Sequence, residues 1–294
     1  MITMTKILLT GGSGFIGRNL YEQLRDKYDI LAPRHKELDL LDFSSLQEFV
    51  KKNNIEVIIH SAVHVPAFNG TEKEFFNDMQ MFWNLEKLSQ DLDKIIYFGS
   101  GAEFDKRYDI RNVSESQFGA SIPVSEYGLA KYTMNQFARR SSNIYNLRLF
   151  GVFGKYELWQ IKFLSNLCCK AVYGLPLTVR KDCYFNFLFI DDLVKITDSF
   201  INKTPEYHDY NACHDNEYLL SDLAKMVVEV SGKDLDIVML SDERNLDYSA
   251  SNKRLHGELP QLEITPMKRS LEMLYQYYSD NRGQIDFDIL KETR

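Results

Sequence analysis

Three residues in the middle of the chain could together move a proton to or from an oxygen atom of a substrate. Tyr127 and Lys131 are four positions apart, so they would lie on one face of a helix. A lysine ammonium beside a phenol favours the phenolate, which suits the phenol for proton exchange with an alcohol or a ketone. Ser100 ends the apolar segment that begins at Lys94 and could hydrogen-bond the same oxygen. We predict that Ser100, Tyr127 and Lys131 are catalytic.

A glycine-rich segment near the start of the chain could bind the phosphates of a dinucleotide. The apolar residues 6–10 are followed by Gly11, Gly14 and Gly17, and an amphipathic segment begins at Phe15. In a strand–turn–helix unit of this kind, the first glycine allows the sharp turn, the second admits the pyrophosphate and the third lets the helix approach the strand. The phosphates then face free N–H groups at the helix N-terminus. The predicted cofactor-binding residues of this loop are Gly11, Ser13, Gly14, Phe15, Ile16 and Gly17.

The pattern of apolar and amphipathic segments predicts the elements that position these residues. Through the first half of the chain, short apolar runs alternate with segments of helical periodicity, which is typical of a parallel sheet covered by helices on both faces. The predicted strands are 6–10, 29–32, 56–60, 94–99 and 144–149, and the predicted helices are 15–27, 44–53, 73–91 and 126–141. The sequence therefore predicts an α/β protein with a Rossmann-type, doubly wound parallel sheet.

Beyond Phe150 the pattern is less regular, and glycine and proline interrupt it. Further elements are predicted in this half, namely helices at 159–172, 220–231 and 268–278 and a short strand at Tyr210-Asn211. We interpret residues 1–150 as the dinucleotide-binding domain and residues 151–294 mainly as a smaller C-terminal substrate-binding lobe. The boundary is approximate, because the chain is expected to cross between the two lobes.

Composition and charge exclude several classes of protein. The formal net charge of −7 argues against a nucleic-acid surface, which would be basic. We find no apolar run long enough to cross a bilayer and no N-terminal pattern of a secretory signal, so we predict a cytoplasmic protein with no membrane partner. The four cysteines show no C-x-x-C spacing, and no metal site is predicted. Cys168 and Cys169 are expected in the core.

Several segments resemble the extended short-chain dehydrogenases/reductases, in the branch that modifies nucleotide-activated sugars. The segments that carry the resemblance are the glycine loop, Val57–Ala62, Asn84-Leu85, Leu147–Gly154, Gly174–Val179, Phe187–Leu193 and Tyr210-Asn211. They extend over nearly the whole chain. The resemblance implies a nicotinamide cofactor beside the Ser100, Tyr127 and Lys131 set. It also implies further cofactor contacts, which are Asp39 and Leu40 beside the adenine, and Ser61 and Ala62.

The resemblance further implies a homodimer. Relatives pair two long helices per subunit, and the candidates in this chain are 73–91 and the helix that carries Tyr127. An exposed apolar patch usually marks such an interface. The apolar residues expected to supply it are Phe75, Phe76, Met79, Met81, Phe82 and Trp83.

The end of the second predicted strand bears on the choice between NAD and NADP. A Rossmann site that prefers NAD usually has an acidic residue there, which binds the ribose 2′-OH. In this chain the strand is followed by Pro33-Arg34-His35-Lys36, and a basic cluster would attract a 2′-phosphate. Arg18, just after the glycine loop, could assist. We therefore favour NADP, with Arg34 and His35 among the binding residues, and NAD is the alternative.

The family supports several reactions, and the residues around Ser100 distinguish among them. Its dehydratases carry an Asp-Glu pair directly after the Ser or Thr, whereas Ser100 is followed by Gly-Ala and Glu103 comes one position too late. Members that epimerise C3 and C5 carry a cysteine where Ala102 stands and a histidine after the Gly151–Gly154 turn, where this chain has none. Both reactions are therefore disfavoured.

Two reactions remain, namely reduction of a C4 ketone by NADPH and C4 epimerisation with retained NAD. The basic turn favours the reductase, and the expected substrate is a nucleotide-activated 4-keto-6-deoxy sugar. In that reaction Tyr127 gives a proton to the C4 oxygen, Lys131 holds the cofactor ribose, and Ser100 hydrogen-bonds the forming alkoxide. A catalytically silent NADP-binding regulatory protein is the alternative of another class.

The predicted substrate contacts depart from the family pattern. The family asparagine that contacts the diphosphate is replaced by Gly151, and Phe185-Asn186 stands in place of the usual Arg-Asp. The nearest basic replacements are Lys162 and Arg180, which we take as candidate substrate residues. His64, in the loop after the third predicted strand, could touch the sugar hydroxyls.

Overall fold

The computed structural model describes residues 4–63 and 74–293. The β-strands are β1 Lys6–Thr10, β2 Asp29–Leu31, β3 Val57–His60, β4 Lys94–Ser100, β5 Ile110–Val113, β6 Ile144–Leu149, β7 Val152–Phe153, β8 Leu177–Val179, β9 Tyr184–Phe185, β10 Leu188–Phe189, β11 Asp209–Ala212, β12 Tyr218–Leu219, β13 Ile237–Met239 and β14 Tyr248–Ala250. The α-helices are α1 Phe15–Leu24, α2 Phe43–Asn53, α3 Glu74–Lys87, α4 Glu126–Ala138, α5 Phe163–Tyr173, α6 Ile190–Asn202, α7 Leu220–Ser231, α8 Lys253–Glu258, α9 Met267–Asp280 and α10 Phe287–Glu292.

A six-stranded parallel sheet lies at the centre, in the strand order β11-β6-β4-β3-β1-β2. Its middle strands are continuous apolar runs, because both faces of a parallel sheet are covered. Ile7 and Leu9 of β1 belong to one buried cluster, which includes side chains of α1 and α6. Leu8 belongs to a second cluster, with side chains of α2, α3 and α4. The predicted doubly wound α/β fold is confirmed.

Two helices beside the sheet begin at capping residues. Asp42 precedes α2, and its carboxylate accepts hydrogen bonds from the backbone N–H groups of Ser44 (3.0 Å) and Ser45 (3.3 Å). Ser125 precedes α4, and its hydroxyl accepts a hydrogen bond from the N–H of Gly128 at 3.1 Å. Such caps satisfy N–H groups that have no partner within the helix. The cap on α4 fixes where the helix starts and therefore which way its first two turns present their side chains.

The apolar side chains of α3 serve the core more than the surface. Three of the predicted interface residues are buried, namely Met79, Met81 and Phe82. Phe82 packs edge-on against Tyr97 of β4, with ring centroids 5.2 Å apart. The prediction that these three residues form an exposed patch is therefore wrong, because α3 covers the sheet with them. Phe76 and Trp83 remain exposed, at 68% and 37% of their surface.

The second half of the chain forms smaller layers beside the sheet. Helices α5, α7 and α9 pack on one another, and β12, β9, β14 and β5 form a four-stranded sheet. The two halves of the chain exchange strands. β5 of the first half joins the four-stranded sheet, and β11 of the second half completes the central sheet. The division into residues 1–150 and 151–294 stays a prediction.

Two observations concern membrane-spanning helices and cysteines. Among the described residues, no helix combines the length and apolarity that a membrane span requires. All four cysteines are buried free thiols, and Cys168 and Cys169 of α5 lie in the core, as expected.

Candidate active site

The glycine loop connects β1 to α1 and lies against the end of β3. Gly11 has a φ of +69°, and a Cβ there would lie 2.6 Å from the backbone nitrogen of Ala62. A Cβ on Gly17 would collide with the Gly11 carbonyl oxygen and lie 2.8 Å from the Ser61 hydroxyl. Only glycine fits these two positions without movement of the backbone. The structure thus brings the loop together with Ser61 and Ala62.

The N-terminus of α1 is open to an anion. Gly14 precedes the helix and offers no capping side chain, and the first turn contains no acidic residue. The N–H groups of this turn, which begins at Phe15 and Ile16, form the positive end of the helix dipole. A Cβ on Gly14 would approach the Gly11 carbonyl oxygen at 3.3 Å, with no other described atom within 4 Å. The outer side of the loop therefore leaves room for a phosphate.

A cleft of about 420 Å³ opens beside the loop and reaches the turn after β2. Seven of the predicted cofactor residues line it, namely Gly11, Ser13, Arg34, His35, Asp39, Leu40 and Ala62. Asn84 of α3 is buried and donates hydrogen bonds to the carbonyl oxygens of Leu40 (2.8 Å) and Leu41 (3.0 Å), which hold one wall in place. The cleft has the position expected for the adenosine half of a dinucleotide.

The turn after β2 is basic and exposed, with Arg34, His35 and Lys36 at the surface. Arg34 lines both the 420 Å³ cleft and a neighbouring opening of about 760 Å³. Glu37 adds an acidic residue to this turn. Its carboxylate accepts a hydrogen bond from the backbone N–H of Arg34 at 2.7 Å, so it stabilises the turn that presents the arginine.

Arg18, the second predicted source of positive charge, is tied to its own surroundings. Its Nε donates a hydrogen bond to Glu22 at 3.1 Å, and its guanidinium stacks 3.6 Å from the centroid of the Tyr156 ring. Arg18 lines the 760 Å³ opening together with Arg34. It therefore adds positive charge to that opening, while its side chain is held by other groups.

Ser100 ends β4, and α4 carries Tyr127 and Lys131 alongside it. The buried Lys131 ammonium donates a hydrogen bond to the Phe98 carbonyl oxygen at 3.1 Å and lies 5.8 Å from the centroid of the Tyr127 ring. The shared helix face expected for these two residues is observed. Tyr127 is only partly buried, so its phenol can reach a ligand while Lys131 stays inside the protein.

The turn after Ser100 holds its hydroxyl in place. Residues 101–103 form a single 3-10 turn, and the Ser100 hydroxyl accepts a hydrogen bond from the N–H of Ala102 at 3.1 Å. Helix α4 comes close to this turn because a glycine occupies position 128. A Cβ on Gly128 would lie 2.7 Å from the Ala102 carbonyl oxygen. The serine and the start of α4 are therefore fixed relative to each other.

His60, at the end of β3, is a neutral neighbour of Lys131. Its Nδ1 lies 2.8 Å from the Thr10 hydroxyl, which also accepts a hydrogen bond from the N–H of Ala62 at 3.3 Å. Burial and the charge of Lys131 lower the pKa of His60 to about 3. His60 therefore adds no second positive charge beside Lys131 at neutral pH, and it links the end of β3 to the glycine loop.

Glu103 is withdrawn from the substrate side into the interior. It is fully buried, pairs with Nε of Arg148 at 2.8 Å and accepts a hydrogen bond from the backbone N–H of Ser100 at 3.1 Å. Burial raises the pKa of Glu103, and Arg148, which is also paired with Asp209 at 2.8 Å, opposes that rise. The 3-10 turn after Ser100 gives Glu103 its inward direction. Glu103 thus holds Ser100 from behind.

An aromatic wall, formed by Phe185, Phe187 and Tyr248, lies where Gly151 and Asn186 depart from the family pattern. A Cβ on Gly151 would lie 2.6 Å from the Phe185 ring, and Phe185 stacks on Phe187 with centroids 4.5 Å apart. Phe185 also packs against Tyr248 of β14, at 5.1 Å. Asn186 is buried and accepts a hydrogen bond from the backbone of β14 at 2.6 Å. Its amide therefore connects strands and is not directed at a ligand.

Lys106 lies against this wall, and the charge of Lys162 acts on it. The Lys106 ammonium lies 4.5 Å from the centroid of the Tyr248 ring. Burial, and secondarily the positive charge of Lys162, lower the pKa of Lys106. Lys162 directly precedes α5 and provides no side-chain cap. It also acts on the buried Glu157, whose pKa burial raises to about 7.

Arg180 and His64 are the remaining predicted substrate residues. Arg180 is exposed and directly follows β8, which pairs with β13 in a two-stranded sheet separate from the sheet of Ser100. His64 lies outside the described residues. Within residues 4–63 and 74–293, no group of three or more His, Cys, Asp or Glu side chains could hold a metal ion.

Three residues of the site, His60, Lys106 and Tyr248, were not predicted from the sequence. Tyr248 belongs to β14, far along the chain from Ser100, and no motif surrounds it. His60 is the last residue of a buried strand and could have been noticed, because such positions in parallel sheets face the ligand crevice. Lys106 reaches the site only because the turn after Ser100 folds back towards β14.

A model of the NAD dependent epimerase/dehydratase family matches residues 7–213. GDP-L-colitose synthase of Yersinia pseudotuberculosis is 23% identical over 253 residues, which are 77% of this chain and 82% of that protein. GDP-6-deoxy-D-talose 4-dehydrogenase of Aggregatibacter actinomycetemcomitans is 26% identical over 251 residues, which are 79% of this chain and 82% of that protein.

A solved structure agrees with the fold. The GDP-L-fucose synthetase of Naegleria fowleri bound to NADP superposes with a TM-score of 0.82 at 16% sequence identity, and 96% of each chain is covered. At this identity the likeness establishes a shared fold. The shared fold accounts for the arrangement of strands and helices around the candidate site, whereas the chemistry depends on the side chains.

Proposed function

This chain belongs to the NAD-dependent epimerase/dehydratase family, and on that premise we propose that it uses NADPH to reduce the C4 ketone of a nucleotide-activated 4-keto-6-deoxy sugar. The observation that carries the proposal is the position of the Ser100, Tyr127 and Lys131 set. The charge of Lys131 acts on His60, whose partner Thr10 adjoins the glycine loop, whereas Gly101, next to Ser100, lies against the Tyr248 hydroxyl of the aromatic wall. A relative at 26% identity is a 4-dehydrogenase of a GDP-6-deoxy sugar, which supports redox chemistry at C4.

The residues present fit a dinucleotide. The loop leaves space for a pyrophosphate beside Gly14, and the open N-terminus of α1 favours its charge. The adenosine half would occupy the 420 Å³ cleft, between Ala62 on one side and Asp39 and Leu40 on the other. Lys131 and Tyr127 would hydrogen-bond the ribose of the nicotinamide half. When bound, NADPH supplies the hydride that reaches C4.

The proton comes from the protein. Tyr127 gives its phenolic proton to the C4 oxygen as negative charge develops there. Ser100 donates a hydrogen bond to the same oxygen, and a donor that is already in place stabilises the developing charge. The Lys131 ammonium lies 5.8 Å from the Tyr127 ring centroid, so a positive charge is close to the oxygen that gives up the proton. Glu103 keeps the backbone at Ser100 in position for this step.

The preference for NADP over NAD is proposed from the basic turn. Arg34 and His35 line the adenosine cleft and are exposed there, so a 2′-phosphate would meet positive charge and hydrogen-bond donors. The acid of this turn, Glu37, is bonded to the backbone of Arg34. Because this hydrogen bond occupies the Glu37 carboxylate, Glu37 is less available to accept one from a ribose hydroxyl.

The surroundings of Ser100 argue against dehydration and against epimerisation at C3 or C5. Removing a proton from carbon needs a base within hydrogen-bond reach of that proton. Ala102 has no such group, and Glu103 is buried in its ion pair with Arg148. The sequence-based expectation that both reactions are absent therefore remains part of the proposal.

We further propose that Lys106 and Lys162 bind the phosphate attached to the sugar. Two ammonium groups that approach each other repel, and an anion between them relieves that repulsion. The Lys106 ammonium lies 4.5 Å from the centroid of the Tyr248 ring, whose hydroxyl is beside Gly101, so a phosphate held by the lysines would lie near Ser100. The phosphate at C1 would then meet the lysines while C4 meets Tyr127. Arg180 and His64 stay as further candidate substrate residues.

The oligomeric state is proposed to be a homodimer that pairs α3 and α4 of two subunits. These helices pack side by side, and Phe76, Trp83 and Phe137 are exposed on them. An apolar surface of this kind usually marks an interface, and light scattering that shows a monomer at micromolar concentration would contradict it. We place the enzyme in the cytoplasm, where its buried thiols would stay reduced.

A nucleotide-sugar 4-epimerase that retains NAD is the second candidate. Glu37 favours it, because an acid in the turn after β2 is what an NAD site usually provides, and this acid lines the opening beside Arg34. The two candidates share Ser100, Tyr127 and Lys131. They differ in consumption of the cofactor, since a reductase oxidises one NADPH per turnover and an epimerase oxidises none overall.

The test is an NADPH oxidation assay with 4-keto-6-deoxy sugars carried on GDP, CDP, UDP and dTDP. Tyr127→Phe should bind NADPH normally but turn over roughly 10²- to 10⁴-fold more slowly. Tyr132→Phe, one position past Lys131 on the same helix, is the matched control and should stay active. If none of these sugars supports NADPH oxidation, the reductase proposal is refuted. Full activity of Tyr127→Phe would refute the role of the Tyr127 phenol.

A further inference from the structure

Asn135 is a buried polar residue of α4 to which the proposed chemistry gives no role. It lies one helical turn past Lys131 and two turns past Tyr127, so the three side chains share one face of the helix. Asn135 is fully buried, and its Nδ2 donates a hydrogen bond to Oδ2 of Asp209 at 3.3 Å. Its Oδ1 has no hydrogen-bond partner among the residues that the structure describes. A buried carbonyl of this kind costs free energy, so folding alone does not account for an asparagine at this position.

Asp209, the partner of Asn135, belongs to a buried network that ends at Ser100. Asp209 begins β11, and its Oδ2 also accepts a hydrogen bond from Nη2 of Arg148 at 2.8 Å. Nε of the fully buried Arg148 donates to Glu103 at 2.8 Å, and Glu103 accepts a hydrogen bond from the backbone N–H of Ser100 at 3.1 Å. Asn135 therefore connects α4 through three further side chains to the backbone of Ser100.

Lys131 gives α4 a second connection, to β4. Its ammonium donates a hydrogen bond to the Phe98 carbonyl oxygen at 3.1 Å. The close approach of the helix at Gly128 brings α4 to the turn after β4, but a contact of that kind does not fix rotation about the helix axis. The hydrogen bonds from Lys131 and Asn135, one turn apart on the face that carries Tyr127, together oppose that rotation.

We propose that Asn135 is a positioning residue that fixes the direction of Tyr127 relative to Ser100. This inference rests on the proposed function of the same site. The substrate oxygen has to meet both hydroxyls at once, and a misplacement of about 1 Å can slow a reaction roughly a hundredfold. Arg139, at the end of α4, also approaches Asp209, but at 3.6 Å and with a partly exposed side chain, so it constrains the helix less.

Replacing Asn135 by leucine separates positioning from folding. Leucine has a similar size, favours the helix and brings no polar atom, and Oδ2 of Asp209 keeps its hydrogen bond from Arg148. The buried carbonyl without a partner costs about as much as the lost hydrogen bond contributes. In urea unfolding, the midpoint of Asn135→Leu should therefore equal or exceed that of the wild type. A marked fall in the midpoint would show a purely structural role and overturn the proposal.

A kinetic double-mutant cycle tests the connection to Tyr127. Asn135→Leu should lower kcat roughly three- to thirtyfold, and it should cause little further loss beside Tyr127→Phe, where no phenolic proton has to be aimed. The Kd for NADPH should change little, because the glycine loop and the adenosine cleft keep their residues. Thr133→Val is the matched control and should keep its kcat, since the described hydrogen bond of Thr133 stays within α4, to the Leu129 carbonyl oxygen at 2.8 Å. An unchanged kcat of Asn135→Leu, or an equal loss in both backgrounds, would overturn the proposal.

Crystal structures of the wild type and Asn135→Leu separate this inference from the proposed function. With the two proteins superposed on the central sheet, the Tyr127 ring of the variant should move relative to Ser100 or show raised B-factors, while β4 stays in place. A wild-type protein that reduces no keto sugar would refute the reductase, yet this comparison would still report on the connection. A Tyr127 ring of unchanged position and order would overturn the inference whatever the catalytic result.

Discussion

Replacing Gly14 by alanine should separate cofactor binding from folding. Gly14 has a φ of −79° and a ψ of 175°, which alanine adopts without strain. Its new Cβ would meet just the Gly11 carbonyl oxygen at 3.3 Å among the described atoms. We therefore expect the free energy of unfolding to change by less than about 1 kcal/mol. The methyl group would, however, stand on the side of the loop where the pyrophosphate is proposed to bind.

Overfilling a tight contact costs about 1–3 kcal/mol, so Gly14→Ala should weaken NADPH binding by roughly five- to 150-fold. The assay is a titration of NADPH fluorescence, paired with thermal unfolding of the protein without cofactor. Two variants bracket it. Gly17→Ala should lower the melting temperature, since its Cβ would collide with the Gly11 carbonyl oxygen, whereas Gly257→Ala has open space within 4 Å and should affect neither measurement. Wild-type NADPH affinity in a folded Gly14→Ala protein would refute the proposed position of the pyrophosphate.

Two further predictions concern charge. Arg34→Ala should raise the Kd for NADPH roughly ten- to a hundredfold and leave NADH binding unchanged, because charged hydrogen bonds contribute about 1.5–3 kcal/mol. Arg25→Ala, in the same opening, is the control. Equal losses of affinity for both cofactors would contradict a 2′-phosphate contact. Burial raises the pKa of Glu157 from 4.5 to about 7, so the unfolded chain loses this proton at a lower pH than the folded protein does. The free energy of unfolding should therefore fall by about 3 kcal/mol as the pH rises from 4.5 to 7. In urea unfolding, Glu157→Gln should remove that loss while still accepting the hydrogen bond from Ser165, and an unchanged pH slope would contradict the assignment.

The parts of the fold that the sequence predicts are those decided by local pattern. Strands β1, β3 and β4 follow from continuous apolar runs, and α4 follows from its helical periodicity. The predicted helix at 159–172 starts later, at Phe163. The segment before it is bound by α1, since Asn19 donates a hydrogen bond to the Lys155 carbonyl oxygen at 3.0 Å. A partner so distant in sequence leaves no local signal.

The same distinction applies to the candidate site. The glycine loop and the Tyr127–Lys131 pair are written in short spacings, so they could be predicted. The inward direction of Glu103 could not, because it depends on Arg148 of β6 and on the 3-10 turn that follows Ser100. Tyr248 depends on the placement of β14 against β5. The apolar side chains of α3 wrongly predict an exposed patch for a related reason, since Phe82 meets its partner Tyr97 only in the folded sheet.

The central claim is that hydride goes to C4 and that no proton is exchanged at the neighbouring carbons. The most direct measurement is NMR of the product in two labelling experiments, one with NADPH deuterated at C4 of the nicotinamide and one with unlabelled NADPH in D₂O. The account predicts deuterium at the sugar C4 in the first experiment, and no carbon-bound deuterium above the uncatalysed background at C3 or C5 in the second. Solvent deuterium at C3 or C5 would contradict it, and so would conversion of a 4-hydroxy sugar to its C4 epimer without net oxidation of NADPH.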